Sequence, residues 1–205
     1  MNLIKSVFQL VSPTGNRAKL SILIFHRVLS EPDTIFPDEP DTRRFHQMLD
    51  WIKSWFNVIP LDAAVSALKN GTLPSRAAAI TFDDGYADNY TNALPILKQH
   101  GLSATFFIAT GFLNGGRMWN DTVIESIRAC TASCLDLDHS NLGTLNIGSI
   151  EEKKTAIGKV LKSIKYLPVS ERETMAHRVA EAAKVTLPTN LMMTSAQVVA
   201  MRDAG

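Results

Sequence analysis

The sequence predicts an α/β fold in which short buried strands alternate with helices. Residues 21–26, 78–82 and 104–109 are short apolar runs of the kind found in strands that are buried on both faces. Apolar residues at helical spacing separate the last two runs, for example between Ala93 and Leu97. A strand, a helix and a strand at this spacing form a βαβ unit, so we expect these two strands to be parallel.

The composition is that of a globular chain. Of the 205 residues, 45% are hydrophobic and 20% are charged, and 21 basic residues against 20 acidic ones give a net charge of +1. These values exclude disorder as the main state and argue against a dedicated nucleic-acid-binding protein. The longest apolar runs have four residues, whereas a membrane-spanning helix needs ~20, so no transmembrane helix is predicted.

The chain is expected to form a single incomplete domain over residues 1–205. An N-terminal helix and linker occupy 1–20, a β/α core occupies 21–130, and a mostly helical insertion without a convincing strand occupies 131–205. The first helix is interpreted as amphipathic, lying on the domain or, alternatively, on a membrane surface. No signal peptide is recognisable, which favours a cytoplasmic location.

Capping residues predict where the helices begin. Thr42, Asp62 and Asp121 each precede or open a helical pattern and are candidate N-caps. Residues 170–173, Ser-Glu-Arg-Glu, form a candidate capping box. A last helix is predicted from Ser195.

Cys130 and Cys134 are the only cysteines. Their spacing matches neither the Cys-x-x-Cys of a redox site nor a paired zinc motif. We interpret them as inert thiols at or after a helix end, with a disulfide or metal role as the alternative.

Asp83 and Asp84 are the least expected residues, because they directly follow an apolar strand and directly precede Gly85. Carboxylates near a core cost free energy unless positive charge or hydrogen bonds compensate them. In parallel α/β proteins, the carboxyl ends of the strands carry the active site. If the chain turns at Gly85, one carboxylate can bind a metal while the other acts as a general base; alternatively, both only cap the following helix.

Several segments resemble the polysaccharide deacetylases, also called carbohydrate esterase family four, whose domain is the nodulation-protein-B homology domain. Residues 79–86, Ala-Ile-Thr-Phe-Asp-Asp-Gly-Tyr, are similar to the first motif of that family. Residues 26–28 and 94–107 are similar to the segments before and after this motif. Residues 115–121 resemble members from exopolysaccharide gene clusters, and the whole resemblance covers about residues 21–125.

The resemblance implies a partial (β/α) barrel with a helical C-terminal insertion, the family barrel being distorted and roughly seven-stranded. It implies a metal-dependent hydrolase that removes N-acetyl groups from an amino-sugar polysaccharide or oligosaccharide. Carried over by position, Asp83 matches the catalytic base and Asp84 a ligand of a divalent metal, usually zinc.

The second motif of the family, His-Ser/Thr-x-x-x-His or His-Ser/Thr-x-x-His, supplies two further ligands and has no counterpart. The histidines are His26, His46, His100, His139 and His177, and no two have this spacing. The later motifs are also missing, so the resemblance implies a chain truncated before its second motif. Two hypotheses follow: the N-terminal portion of a deacetylase, inactive alone, or a non-catalytic remnant or partner-binding fragment of one.

Two other residues are candidates for substrate binding. His26 ends the first strand and could face the metal or the sugar, be hydrogen-bonded within the mouth of the barrel, or be a simple surface residue. Trp119 could stack on a sugar ring, or pack under its own loop.

Overall fold

The computed structural model describes residues 3–138 and 142–205, which fall into two compact units. The first unit contains the described residues of Met1–Pro32, Glu39–Asn114 and Met193–Gly205. The second contains those of Asp33–Asp38 and Gly115–Met192. The first unit ends at Asn114 because the helix that follows contributes its apolar side chains to the core of the second unit. The predicted organisation into residues 1–20, 21–130 and 131–205 stays a prediction.

The described elements alternate between helices and short strands. The helices are α1 (Leu3–Val11), α2 (Thr42–Trp55), α3 (Leu61–Lys69), α4 (Leu94–His100), α5 (Trp119–Ala129), α6 (Ile150–Ile164), α7 (Val169–Ala183) and α8 (Ser195–Asp203). The strands are β1 (Ser21–Phe25), β2 (Asn57–Val58), β3 (Ala77–Phe82), β4 (Thr105–Phe106), β5 (Cys134–Leu137) and β6 (Gly143–Asn146). A π-helical turn, Asn89–Ala93, runs directly into α4, and a 3₁₀ turn covers Thr110–Phe112.

The first unit is organised around β3. This strand pairs in parallel with β1, from Ser21 opposite Ala78 to Phe25 opposite Phe82, and it also pairs in parallel with β2 and β4. Every residue of β3 is buried, as expected for a central strand covered on both faces. The predicted α/β class with a parallel sheet is therefore confirmed, and this sheet is consistent with part of a (β/α) barrel.

Aromatic side chains fill the core at the carboxyl ends of these strands. The Phe82 ring lies 5.3 Å from that of Phe25 and 4.9 Å from that of Phe106, measured between centroids. Phe45 of α2 contacts Phe25 and Phe82 edge-on, at 5.3 and 5.8 Å. This cluster ties β1, β3 and β4 together immediately before the residues that follow them.

Several predicted N-caps are displaced by a few residues. Asp41, rather than Thr42, caps α2 by accepting a hydrogen bond from the Arg44 amide at 2.6 Å. Asp62 lies in the first turn of α3, and no side chain caps that helix. The caps are displaced because the same polar residue types are favourable both at the N-cap and in the first turn, where carboxylates interact with the helix dipole.

Two more predicted caps lie inside their helices. Asp121 belongs to the first turn of α5, whose N-cap is Met118. The predicted box at 170–173 lies in α7, which starts after Pro168 without a side-chain cap. Pro168 defines this start because its fixed φ favours the entry into a helix. The last helix begins at Ser195 as predicted, and Thr194 with Gln197 forms its capping box.

The second unit contains an antiparallel strand pair that the sequence reading missed. Residues 131–205 were expected to lack a strand, yet β5 and β6 pair with Cys134 opposite Asn146. Leu135, Leu137 and Leu145 are buried while their neighbours along each strand are half-buried or exposed. This alternation is typical of a half-buried strand. A run of four residues is too short for the pattern to be recognised in the sequence alone.

Both cysteines are free thiols. Cys130 is buried at the C-cap of α5, and Cys134 is the exposed first residue of β5. The predicted position at a helix end is confirmed for Cys130, whereas Cys134 opens a strand. Among helices of the described residues, none combines the length and the apolar character that crossing a bilayer requires.

An ion pair holds residues 33–38 within the second unit. Arg128 of α5 donates to Asp33 at 3.0 and 2.7 Å, and the amides of Ile35 and Phe36 also donate to Asp33. Burial alone would raise the pKa of Asp33, but these hydrogen bonds, above all that from Arg128, bring it below the ordinary carboxyl value. The ionised carboxylate therefore stabilises the folded state.

We expect Asp33→Asn to lower the free energy of unfolding by about 1–3 kcal/mol at pH 7, since Arg128 loses its charged acceptor. Because the folded-state pKa is lowered, this contribution is present above the unfolded pKa of about 4 and is lost as the pH falls through the folded value. Urea unfolding followed by circular dichroism at pH 7 and about pH 3 measures both effects.

Asp38→Asn is the matched control, because Asp38 is an exposed acid of the same segment. It should leave the unfolding free energy within about 0.5 kcal/mol of the wild type. A stability difference between wild type and Asp33→Asn that stays constant from pH 7 to pH 3 would contradict the assignment.

Candidate active site at the end of strand β3

The two carboxylates lie on a tight turn directly after β3. The Asp83 amide donates to the Phe25 carbonyl at 2.9 Å, so Asp83 continues the β1–β3 ladder by one residue. Asp84 and Gly85 then adopt φ values of +73° and +85°, and the Gly85 amide donates back to the Asp83 carbonyl at 2.9 Å. The predicted turn is present, and it breaks the strand alternation between Asp83 and Asp84.

Backbone hydrogen bonds fix this turn from both sides. The Ala109 amide, which follows β4, donates to the Asp84 carbonyl at 3.0 Å. The Met193 amide, which precedes α8, donates to the Gly85 carbonyl at 3.0 Å. Asp84 is a non-glycine residue in the left-handed region, and such a conformation persists where the surroundings over-determine it.

Gly85 is required for steric as well as conformational reasons. A Cβ atom at this position would lie 3.1 and 3.2 Å from the Cγ2 and Cδ1 atoms of Ile108. Only glycine combines a φ of +85° with this close approach. The sequence alone identified the need for a turn here, but not the neighbour that restricts it.

His26 and Asp84 are electrostatically coupled. His26 directly follows β1 and is exposed, whereas Asp83 and Asp84 are half-buried. Burial raises the pKa of Asp84 above the ordinary carboxyl value, the positive charge of His26 lowers it in part, and the neighbouring Asp83 raises it further. The structure thus brings together His26, Asp83 and Asp84, three of the four predicted site residues.

A buried polar layer supports the His26 backbone. Asn89, which is fully buried, donates from Nδ2 to the His26 carbonyl at 2.8 Å. Asp88 accepts from Arg27 Nε at 2.8 Å and from the Val28 amide at 3.2 Å, and burial raises its pKa in spite of Arg27. Sequence reasoning missed Asp88 and Asn89; the signal was two polar residues at the start of an apolar helical pattern.

Trp119 belongs to the second unit. It is the first residue of α5, is partly buried against the core of that unit, and has the Arg172 guanidinium 5.1 Å from its ring centroid. These contacts match the packing alternative for this residue. Its role as a platform for a sugar stays a prediction.

The described residues do not make up a metal site by themselves. No group of three His, Cys, Asp or Glu side chains that could hold a metal ion occurs within residues 3–138 and 142–205. His139 lies outside the described residues. A catalytic zinc normally has three protein ligands and an open position, so Asp83, Asp84 and His26 do not fit such an ion without additional ligands.

Asp83 and Asp84 thus lie at the carboxyl edge of a parallel sheet, where α/β proteins carry their active sites. Residues 70–133, which contain the whole turn, match the family model described as polysaccharide deacetylase. This segment is therefore similar to the polysaccharide deacetylases, a family of metal-dependent hydrolases of amide bonds.

Two curated proteins are also similar to part of this chain. YxkH of Bacillus subtilis (strain 168), which is named for this family, is 32% identical over 97 residues, 46% of this chain and 33% of YxkH. The poly-beta-1,6-N-acetyl-D-glucosamine N-deacetylase of Staphylococcus aureus is 38% identical over 83 residues, 40% of this chain and 29% of that enzyme. The chain therefore spans about a third of the length of the curated relatives it matches.

A solved structure is similar over half of the chain. IcaB from Ammonifex degensii is 27% identical, with a TM-score of 0.42, over 50% of this chain and 42% of IcaB.

We expect Gly85→Ala to destabilise the first unit by about 2–4 kcal/mol, since it adds left-handed strain to a clash with Ile108. Urea unfolding of the purified variant measures this loss. Ile108→Ala on the Gly85→Ala background should remove the clash, so the double variant should lose less stability than the two single losses added together.

Gly101→Ala is the control for strain alone. Gly101 also has a positive φ, +62°, but no atom lies within 4 Å of the position that a Cβ atom would occupy there. It should cost about 1 kcal/mol. Equal losses for Gly85→Ala and Gly101→Ala would show that Ile108 does not restrict the turn.

Proposed function

We propose that this chain takes part in the hydrolysis of N-acetyl groups on an amino-sugar polysaccharide. The observation that carries the proposal is the turn in which Asp83 and Asp84 follow the buried strand β3, with His26 coupled to Asp84. The family match over residues 70–133 and the printed activity of the S. aureus relative support the same reaction. A cytoplasmic location stays a prediction.

The reaction requires a group that accepts a proton. Water adds to the acetamide carbonyl carbon, the carbon–nitrogen bond breaks, and acetate and the free amine are released. A carboxylate within hydrogen-bond reach takes the proton from the attacking water and makes it a stronger nucleophile. We assign this role to Asp83, whose backbone is held by the hydrogen bond that its N–H donates to the Phe25 carbonyl.

Asp84 is proposed as a ligand of the divalent metal that the family uses. A bound metal would polarise the acetamide carbonyl. The described residues contain no group of three His, Cys, Asp or Glu side chains that could hold this metal. The zinc identity and the additional ligands belong to the proposal.

We expect Asp83→Asn to lower the rate of acetate release by about 10²–10⁴-fold, the usual contribution of a general base. Acetate is measured from oligomers of β-1,4- and β-1,6-linked N-acetylglucosamine with added Zn²⁺ or Co²⁺. Both this chain and the longest open reading frame that contains it are assayed, because the chain spans only part of its relatives.

Asp62→Asn is the control, since Asp62 is an exposed acid in the first turn of α3, on the same unit. Full activity in Asp83→Asn would reject the role of Asp83. No acetate from either wild-type protein, with binding of the oligomers retained, would reject hydrolysis and favour a non-catalytic partner-binding fragment. The absence of a three-ligand group among the described residues is the observation that favours that alternative.

The coupling of His26 to Asp84 has a pH signature that does not depend on activity. We expect the Asp84 carboxyl to titrate above the ordinary carboxyl value, because burial raises the pKa of Asp84. His26→Ala should move the Asp84 midpoint to still higher pH, because the lost positive charge lowers this pKa. Carbon-13 NMR of the side-chain carboxyls, in this chain, measures both.

His177→Ala is the matched control, because His177 is an exposed histidine of the second unit. It should leave the Asp84 midpoint unchanged. An unchanged midpoint in His26→Ala would show that the histidine does not act on the carboxylate pair.

A further inference from the structure

Helix α1 presents an apolar face to solvent. Val7, Leu10 and Val11 lie at i, i+3 and i+4 and therefore on one side of the helix. Their exposed fractions are 53%, 84% and 53%, which is unusual for three neighbouring apolar side chains. Phe8 anchors the helix to the first unit through its ring contact with Phe56, at 5.0 Å between centroids.

The sequence around α1 is basic. The first 30 residues contain Lys5, Arg17, Lys19 and Arg27, and Glu31 is the first acidic residue. Ser12, directly after α1, accepts from the Lys19 amide at 2.9 Å and donates to the Lys19 carbonyl at 3.1 Å. These bonds hold Lys19 at the carboxyl end of α1, and both Lys19 and Arg17 are exposed.

We propose that α1 docks this chain onto the surface of a bilayer that contains anionic phospholipids. Val7, Leu10 and Val11 enter the boundary between headgroups and acyl chains, and Arg17 and Lys19 contact lipid phosphates. A helix of nine residues is too short to span a bilayer, but it can lie in the plane of the interface.

Charge favours the lipid surface over a second copy of this chain. A symmetric contact through α1 would bring two copies of this basic segment together, where like charges repel. An anionic bilayer supplies both the negative charge and the apolar layer. This inference is independent of the proposed hydrolysis.

The test is co-flotation of the purified chain with vesicles of phosphatidylcholine that contain about 30 mol% phosphatidylglycerol, or none. We expect binding to the anionic vesicles that weakens with added salt. Leu10→Asp should weaken it at least tenfold, since a charged group replaces the most exposed apolar one. Replacing Arg17 and Lys19 by Gln should cost about fivefold each, as for other cations near a lipid surface.

Val199→Asp is the matched control, because Val199 is 47% exposed on α8, away from α1 in sequence. It should bind as the wild type does, and circular dichroism confirms that each variant is folded. Equal binding to neutral and anionic vesicles, or full binding by Leu10→Asp, would overturn the proposal. Self-association without vesicle binding, abolished in Leu10→Asp, would also overturn it and assign the face to a second copy.

Discussion

The hydrogen-bonded position of strand β3 is the constraint on which the rest of the first unit depends. Each of its residues is buried, and it pairs with β1 on one side and with β2 and β4 along its length. The ladder continues through the Asp83 amide to the Phe25 carbonyl. A pair of carboxylates that follows such a strand has little freedom, so the core determines where the negative charge is located.

The aromatic cluster below the turn makes this placement rigid. Phe25, Phe82 and Phe106 come from three parallel strands and stack immediately before the segments that carry His26, Asp83 and Ile108. Ile108, which follows β4, packs against the turn, so that a Cβ atom at residue 85 would lie 3.1 Å from its side chain. The packed core therefore also restrains the backbone of the candidate site.

Electrostatics divides the polar residues of this region into two groups. Asp88 and Asn89 are buried and hold the backbone of residues 26–28, at a cost that Arg27 only partly offsets. The side chains of Asp83, Asp84 and His26 remain accessible to solvent and, within the described residues, do not hold another backbone segment in this way. Buried groups hold the backbone of this region, and the accessible groups are those that we propose for the reaction.

The sequence by itself determined the α/β class, the βαβ unit and the turn at Asp83-Asp84-Gly85, because apolar runs and a glycine after two acids are local signals. Only the tertiary structure decided what lies beside them: the Ile108 contact, the Asn89 bond to the His26 carbonyl and the Asp33–Arg128 ion pair join residues between 23 and 95 positions apart. The β5–β6 pair was missed because each strand gains its stability from its partner and from the core beneath it. Local patterns predict an element where its own residues stabilise it, and tertiary contacts decide the rest.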